Sequence, residues 1–242
     1  MTFLEVTQLN ERFKGADVPE ILGWLGAEFE KELVATSSFQ TQSLPLLHLM
    51  SLHCPEVKIF FLDTGFHFEE TLEFVSKLRN DFGLRIETLR PLLSNDDFLE
   101  QYGDLYQKDP RMCCYLNKVE PMTRALQGAS AWISGVRHDQ TKARASMQLF
   151  NLQPDGILKI CPIIDWNQKM IDDYITENSL PVHPLLSKGY RSIGCAPCSR
   201  PTLAHEDPRE GRWSGTAKTE CGLHEKYPHL SESTESPRHN KS

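Results

Sequence analysis

The chain has 242 residues, enough for one substantial core without requiring a second domain. Its hydrophobic fraction of 39% and charged fraction of 24% are those of an ordinary soluble globular protein. The formal net charge of −7 excludes a generally basic nucleic-acid binder but leaves room for an anionic substrate held by a local field.

Asp17 opens a predicted helix over 18–33, with Ile21, Leu22, Leu25 and Phe29 on one face. Leu33-Val34-Ala35-Thr36-Ser37-Ser38 reads as a buried strand running into a polar turn, followed by a helix over 44–52. A second strand over 57–62 ends at Asp63-Thr64-Gly65, and a helix over 68–80 leads to a third strand over 85–89. Ala131-Trp132-Ile133-Ser134-Gly135 and Leu158-Lys159-Ile160-Cys161-Pro162 supply two more strands. This alternation predicts an α/β fold with a parallel sheet covered on both faces, whose ligands bind at the carboxyl ends of the strands. The polar turns at 37–38, 63–65 and 135–140 all follow strands and are expected to converge on one crevice. Beyond Pro181 the chain is rich in Pro, Gly and Cys without periodicity, which predicts an irregular tail folded over that crevice. Residues 1–226 read as one domain including this tail, and 227–242 as a disordered C-terminus. No internal repeat is visible.

Met1-Thr2-Phe3-Leu4-Glu5-Val6 carries neither the basic nor the apolar region of a secretory signal. Runs such as Ile59-Phe60-Phe61-Leu62 are too short to span a bilayer. A cytoplasmic protein with no membrane or nucleic-acid partner is expected. In that reducing compartment seven cysteines suit ligands, nucleophiles or buried thiols better than a disulfide framework.

Cys113 and Cys114 are adjacent and are answered far downstream by Cys195 and Cys198, a Cys-x-x-Cys pair. Four soft thiolates suit an iron–sulfur cluster or zinc. Structural zinc sites usually pair two Cys-x-x-Cys knuckles. Neighbouring cysteines on a helix point roughly 100° apart, which several irons accept more easily than one ion. The pattern therefore favours a cluster over zinc or unrelated thiols. Lys118, one helical turn beyond Cys114, is expected to face these ligands and offset their charge. Cys221 stands outside both pairs, with His224 three residues away and Lys218 and Lys226 nearby. Cationic neighbours lower a thiol's pKa, and the thiolate is the nucleophile; an idle, exposed cysteine is the alternative.

The run Ser37 to Ser43 offers hydroxyls, amides and backbone N–H groups at a helix start, where anions are favoured. The same residues also cap helices for structural reasons, and the P-loop pattern is absent. Asp63-Thr64-Gly65 could hold a ribose or simply close a turn. Arg137 and Arg144 follow a strand, and Arg191, Arg209 and Arg212 lie in the tail. Their forks match phosphate or sulfate oxygens in two-point contacts. Cys54 and Cys161 read as inert core thiols, and His48, His53 and His183 show no ligand spacing.

Together, Ser37-Ser38-Phe39, Leu62-Asp63-Thr64-Gly65, Cys113-Cys114 with Lys118-Val119-Glu120-Pro121, the run Gly135 to Gln140, Pro162-Ile163-Ile164-Asp165-Trp166, His183-Pro184-Leu185 and Glu220-Cys221-Gly222-Leu223-His224 carry a family likeness. Over roughly 30–226 the chain resembles the assimilatory adenylyl-sulfate and phosphoadenylyl-sulfate reductases of the iron–sulfur type. These are thioredoxin-dependent members of the PP-loop group, with the adenine nucleotide alpha hydrolase-like fold. The resemblance implies that Cys113, Cys114, Cys195 and Cys198 hold one 4Fe-4S cluster. It implies that Cys221 attacks the sulfur of adenylyl sulfate, leaving an S-sulfocysteine from which thioredoxin or a similar dithiol releases sulfite. It further implies catalytic support from His224 and Lys118, and phosphosulfate contacts from Arg137, Arg144, Arg209 and Arg212. Ser37, Ser38, Gln42, Asp63 and Gly65 would serve the adenosine side, and the tail would act as a mobile lid. One departure stands out. Cluster-bearing members that use adenylyl sulfate typically have Ser-Gly-Ala-Glu-Asp after the first strand, where this chain has Ser38-Phe39-Gln40-Thr41-Gln42-Ser43, so the 3′-phosphorylated substrate stays open. An ATP-using PP-loop enzyme is a second reading, weakened by the missing glycines of that loop, and a zinc-stabilised binding module a third. A homo-oligomer is also left open.

Overall fold

Buried strands separated by amphipathic helices build one six-stranded sheet in the computed structural model of the chain. The structure describes residues 1–216 and 218–224, the side chain of His224 excepted. The roles expected of His224 and Lys226, and the disorder expected of 227–242, lie outside these described residues.

The elements in chain order are α1 (Phe3–Arg12), α2 (Val18–Phe29), β1 (Leu33–Thr36), α3 (Leu44–His53), β2 (Lys58–Leu62), α4 (Glu69–Asp81) and β3 (Arg85–Leu89). There follow α5 (Asn95–Tyr102), α6 (Leu105–Lys108), α7 (Pro110–Cys114), α8 (Glu120–Ala125), β4 (Ala131–Ser134), β5 (Phe150–Leu152), β6 (Leu158–Ile160) and α9 (Gln168–Glu177). Among the described residues no helix is long and apolar enough to cross a membrane.

The sheet order is β3-β2-β1-β4-β6-β5, parallel throughout except for β5, which runs antiparallel to β6. The chain builds outward from β1 through β2 to β3, then returns to add β4 and β6 on the other side. The reversal falls between β1 and β4, so the crevice of a parallel sheet opens beyond Thr36 and Ser134. Successive strand residues point to opposite faces. Leu33, Ala35, Ile59, Phe61, Ala131, Ile133, Leu158 and Ile160 enter the larger core beneath α1, α2, α3, α4 and α9. Val34, Phe60 and Trp132 enter a smaller one with Met122 of α8 and Leu126 just beyond its end.

All five predicted strands are present, and β5 adds a sixth. The helix predicted over 18–33 ends at Phe29, because Glu30 adopts φ 42 and a tight turn over 30–32 feeds Leu33 directly into β1. Asp17 caps that helix as expected, its Oδ1 accepting from Glu20 N at 2.8 Å. The polar helix α1 is fixed by a reciprocal cap between Thr2 and Glu5. Its Asn10 side chain pairs with the outer edge of β5, accepting from Phe150 N at 3.0 Å and donating to Phe150 O at 2.9 Å.

Candidate active site

The turn after β1 bends over the crevice because Phe39 takes φ 54, a left-handed conformation that costs a side-chain-bearing residue about 1–2 kcal/mol. Its ring is fully buried, edge-on to Phe61 with centroids 5.5 Å apart, which holds the turn in place. Phe39→Ala is expected to destabilise the protein by about 3–5 kcal/mol through the cavity it leaves. Phe39→Gly loses the same ring but relieves the backbone, and should come out about 1 kcal/mol the better of the two. Thermal unfolding of the two variants checks this; the reverse order would mean the turn is not strained.

Around this turn a cavity is lined by Ser37, Ser38, Gln40, Gln42 and Ser43 from the β1 side and by Ser134, Gly135 and Gln140 from the β4 side. Tail residues Ile193, Gly194, Arg209, Arg212, Trp213, Cys221 and Leu223 close it, and Lys118 and Arg144 complete its cationic wall. Of the residues singled out in the sequence, Ser37, Ser38, Gln42, Lys118, Arg144, Arg209, Arg212 and Cys221 are therefore brought together. Arg137, Asp63 and Gly65 are not among the lining residues. Arg137 is buried and spends its guanidinium on Asp139, at 2.9 and 3.1 Å, and on Gln168 at 3.2 Å. Asp63 accepts from Gly65 N and pairs with Arg90 at 3.3 Å, so the turn after β2 closes on itself.

The tail is pinned through its charges. Arg212 stacks on the Trp213 indole with 4.4 Å to the ring centroid and donates to Ile193 O at 3.0 Å. A Cβ at Gly194 would collide with the same guanidinium, so glycine there makes room for it. Lys218, expected beside Cys221, instead donates to Pro110 O at 3.0 Å. Arg144 and Arg209 both reach Glu220, the residue before Cys221.

Cys113, Cys114, Cys195 and Cys198 line a second, smaller chamber, with Thr64, Asn117, Lys118 and Trp213. Lys118 and Trp213 thus belong to both walls. Asp109 caps α7 by accepting from Arg111 N and Met112 N, and the vicinal pair sits at that helix's end. The next residues, Tyr115–Val119, make one wide helical turn carrying Asn117 and Lys118. Pro121 has no N–H to return to Asn117, which permits the widening. Ala196 N donates to Phe66 O at 2.7 Å and brings the Cys195–Cys198 turn over β2.

All four thiols are free. Burial pushes Cys113 up to about 12, with Cys114, Cys195 and Cys198 adding to the rise. Burial, then Cys195, pushes Cys198 up to about 11. Cys195 differs: burial acts to raise it, but the Lys118 ammonium, a 3.3 Å contact with the Thr64 hydroxyl, and Arg212 together hold it below its ordinary value. Lys118 in turn is held above its ordinary value: burial acts to lower it, but Cys195, Cys114 and, to a smaller degree, Cys221 outweigh that. Two donors at this wall, Trp213 Nε1 and Arg212 Nε, are buried without a hydrogen-bond partner among the described residues. Also among those residues, no three His, Cys, Asp or Glu side chains close on a single ion.

Residues 32–201, from the start of β1 past the Cys195–Cys198 turn, match the phosphoadenosine phosphosulfate reductase domain. The chain belongs to this family. Adenosine 5′-phosphosulfate reductase 1 of Bacillus subtilis is 41% identical over 219 residues, which span 89% of this chain and 93% of the relative. A crystal structure of phosphoadenylyl-sulfate reductase from Candida auris, in complex with phosphate, superposes with a TM-score of 0.72 at 29% identity, covering 81% of this chain and 96% of that one. FMN adenylyltransferase of Candida glabrata shares the fold alone, with a TM-score of 0.55 at 13% identity over 84% of this chain and 71% of its own. The α/β architecture of PP-loop type expected from the sequence is thereby established.

In this reductase-family chain several site residues carried no sequence signal. Trp213 is a tail aromatic without periodicity. His67, which donates from Nε2 to Leu62 O at 2.8 Å and lines the cavity, lies in an unremarkable turn. Lys159, which is not among the residues lining either chamber, sits mid-strand, where β6 alternation turns it to the Trp132 face with its ammonium 4.5 Å from the ring centroid. Burial lowers its pKa, and Cys161, Cys221 and Glu220 partly offset this. The expectation of inert core thiols fits Cys54 and Cys161, which burial pushes up to about 12 and about 11. His183 proves structural: it accepts from Leu185 N at Nδ1 and contacts the Thr71 hydroxyl through Nε2 at 3.1 Å.

Proposed function

We propose that the chain reduces adenylyl sulfate to sulfite and AMP, with Cys221 as the nucleophile and thioredoxin or a similar dithiol as the electron donor. The observation that carries this reading is the presence of Cys221 in the same cavity wall as the Ser37 to Ser43 turn, Lys118 and Arg212. The turn's hydroxyls and amides suit the nucleoside, and the cations suit the phosphosulfate. Curated relatives named as adenosine 5′-phosphosulfate reductases, at about 40% identity over most of the chain, support adenylyl sulfate as the substrate.

In the first step the Cys221 thiolate attacks the sulfate sulfur. An S–S bond forms, the S–O bond to the AMP phosphate breaks, and its electron pair leaves with AMP. Lys118 and Arg212 stabilise the charge that gathers on the leaving phosphate and the transferred oxygens. In the second step a donor thiolate attacks Cys221 Sγ and sulfite leaves with the S–S electron pair. The donor's Cys221-linked sulfur is then attacked by its second thiol, which frees Cys221 and leaves the donor as a disulfide. The dithiol thus supplies both electrons.

The four-thiol chamber fits a 4Fe-4S cluster. Burial, and then the neighbouring thiols, push Cys113 and Cys198 up, so gathered thiolates there call for a cationic centre. Its wall also carries Trp213, whose buried Nε1 has no partner among the described residues and suits electron-rich sulfur. A cluster bound by Cys113, Cys114, Cys195 and Cys198 would supply an electrostatic setting for Lys118 at the neighbouring wall. Cys195→Ala is expected to lower the iron content of anaerobically purified protein from about four per chain to below about one, with loss of visible absorbance. Unchanged iron would exclude Cys195 as a ligand. Free thiols in these roles suit a reducing cytoplasm.

The reading is tested by intact mass after mixing anaerobic protein with adenylyl sulfate and no reductant. Gain of one SO3 group, lost on adding thioredoxin or dithiothreitol, is expected. Gain only from the 3′-phosphorylated nucleotide would reassign the substrate, and gain from neither would end the proposal.

A further inference from the structure

We infer that Glu220 is the positioning residue that seats the Cys221 thiol in the cavity, through a buried ion pair with Arg144 and Arg209; the inference builds on the proposed role of Cys221. Glu220 is 1% exposed. Its Oε1 accepts from Arg144 Nε at 2.9 Å and from the Thr141 hydroxyl at 2.7 Å, while Oε2 accepts from Arg144 Nη2 at 2.6 Å. Arg209 Nη2 lies 3.5 Å from Oε2 and donates to the backbone of the preceding residue, Thr219 O, at 2.8 Å.

Thr141 and Arg144 follow β4 and belong to the body of the domain, so this carboxylate fastens the tail to the sheet one residue before the nucleophile. A two-point guanidinium–carboxylate pair fixes direction as well as distance. Burying it makes either partner costly to leave alone. Weaker ties flank it. Lys218 donates to Pro110 O on one side, and on the other Leu223 packs against the small core that contains Trp132, Met122 and Leu126.

The arrangement divides the arginines by task. Arg144 and Arg209, both expected from sequence to meet phosphosulfate, share the single negative charge of Glu220 and so keep one net positive charge at the cavity wall. Lys118, among the thiols, and Arg212, on Trp213, line the same cavity with no carboxylate partner among the described residues, and so carry undivided charge for the substrate's anion. A donor dithiol must later reach Cys221 Sγ, so the same pair is the tie that has to loosen between the two half-reactions.

The test uses the full chain with its iron, as wild type, Glu220→Gln, Glu220→Asp and Thr141→Val. Three rates are read: iodoacetamide alkylation of Cys221 without nucleotide, SO3 uptake from adenylyl sulfate in a single turnover, and sulfite release by dithiothreitol from the preformed adduct. For Glu220→Gln, alkylation should rise and SO3 uptake fall, each by about tenfold, the worth of one charge-assisted hydrogen bond, with sulfite release undiminished. Glu220→Asp should recover part of both, and Thr141→Val should shift both the same way by about threefold. Alkylation within about twofold of wild type in Glu220→Gln, or uptake and release falling together, overturns the assignment. Should Glu220→Gln not fold, Thr141→Val decides alone: faster alkylation supports the role and an unchanged rate ends it. If wild type takes up no SO3, the proposed function fails, while the alkylation arm still judges Glu220.

Discussion

Cys221→Ser is expected to bind nucleotide and take up no SO3. A cysteine at neutral pH is already a few per cent thiolate and intrinsically nucleophilic, whereas a serine hydroxyl needs a base to remove its proton. The loss should be at least about 10³-fold in the first step, equivalent to about 4 kcal/mol of activation free energy. AMP affinity should stay within about twofold, because the Ser37 to Ser43 turn and the cationic wall are untouched. The check pairs the mass of the adduct with an AMP titration. An adduct that persists in the variant would place the nucleophile on another thiol and remove the central step proposed for this chain.

Lys118→Met carries the second large effect. The ammonium stands in the wall shared by the two chambers and remains a cation because Cys195, Cys114 and Cys221 outweigh its burial. Methionine keeps much of the length and none of the charge. Removing one preorganised donor from a site where negative charge develops costs about 10²–10³-fold in rate. AMP lacks the sulfate, so its affinity should change by no more than about threefold while SO3 uptake slows by that larger factor. Lys118→Arg should rescue poorly, since a planar fork does not replace a compact ammonium in a space walled by thiols. A proportional loss of AMP affinity, or a rate loss under about fivefold, would assign Lys118 to binding or packing instead of the sulfur-transfer step.

The sheet was legible because its strands are short buried runs of aromatic and branched residues between polar turns, and Ile59-Phe60-Phe61-Leu62 has no other plausible use. The signals for α1, α5 and α9 were present but quiet. Each is a polar helix opened by a capping residue, Thr2, Ser94 or Asn167, that sends only one or two side chains fully into the interior. β5 spans three residues, too few for a period of two to show. At the site, cysteine spacing named four chamber residues, because those side chains have few alternative roles in company, and left out the thiol that lines the neighbouring cavity. The ion pair of Glu220 joins residues 76 apart in sequence, and no local pattern announces such a partner. Arginines mislead for the same reason: Arg137 and Arg212 look alike in a sequence, yet one is locked to Asp139 and the other is stacked in the cavity wall.

Asn10 has a consequence for how the molecule lives among copies of itself. A primary amide can turn one N–H and its carbonyl oxygen toward a strand at the spacing of a peptide group, and here it mimics the neighbour that a border strand lacks. α1 therefore acts as a chaperone built into the fold for β5. Trimming the chain before residue 13 would uncover the peptide groups of Phe150 and create a sticky margin to which a strand of another molecule could add. The opposite border, β3, is guarded differently, by the charges of Arg85 and Glu87. Protection of that margin thus rests on a helix that contributes no residue to the lining of either chamber.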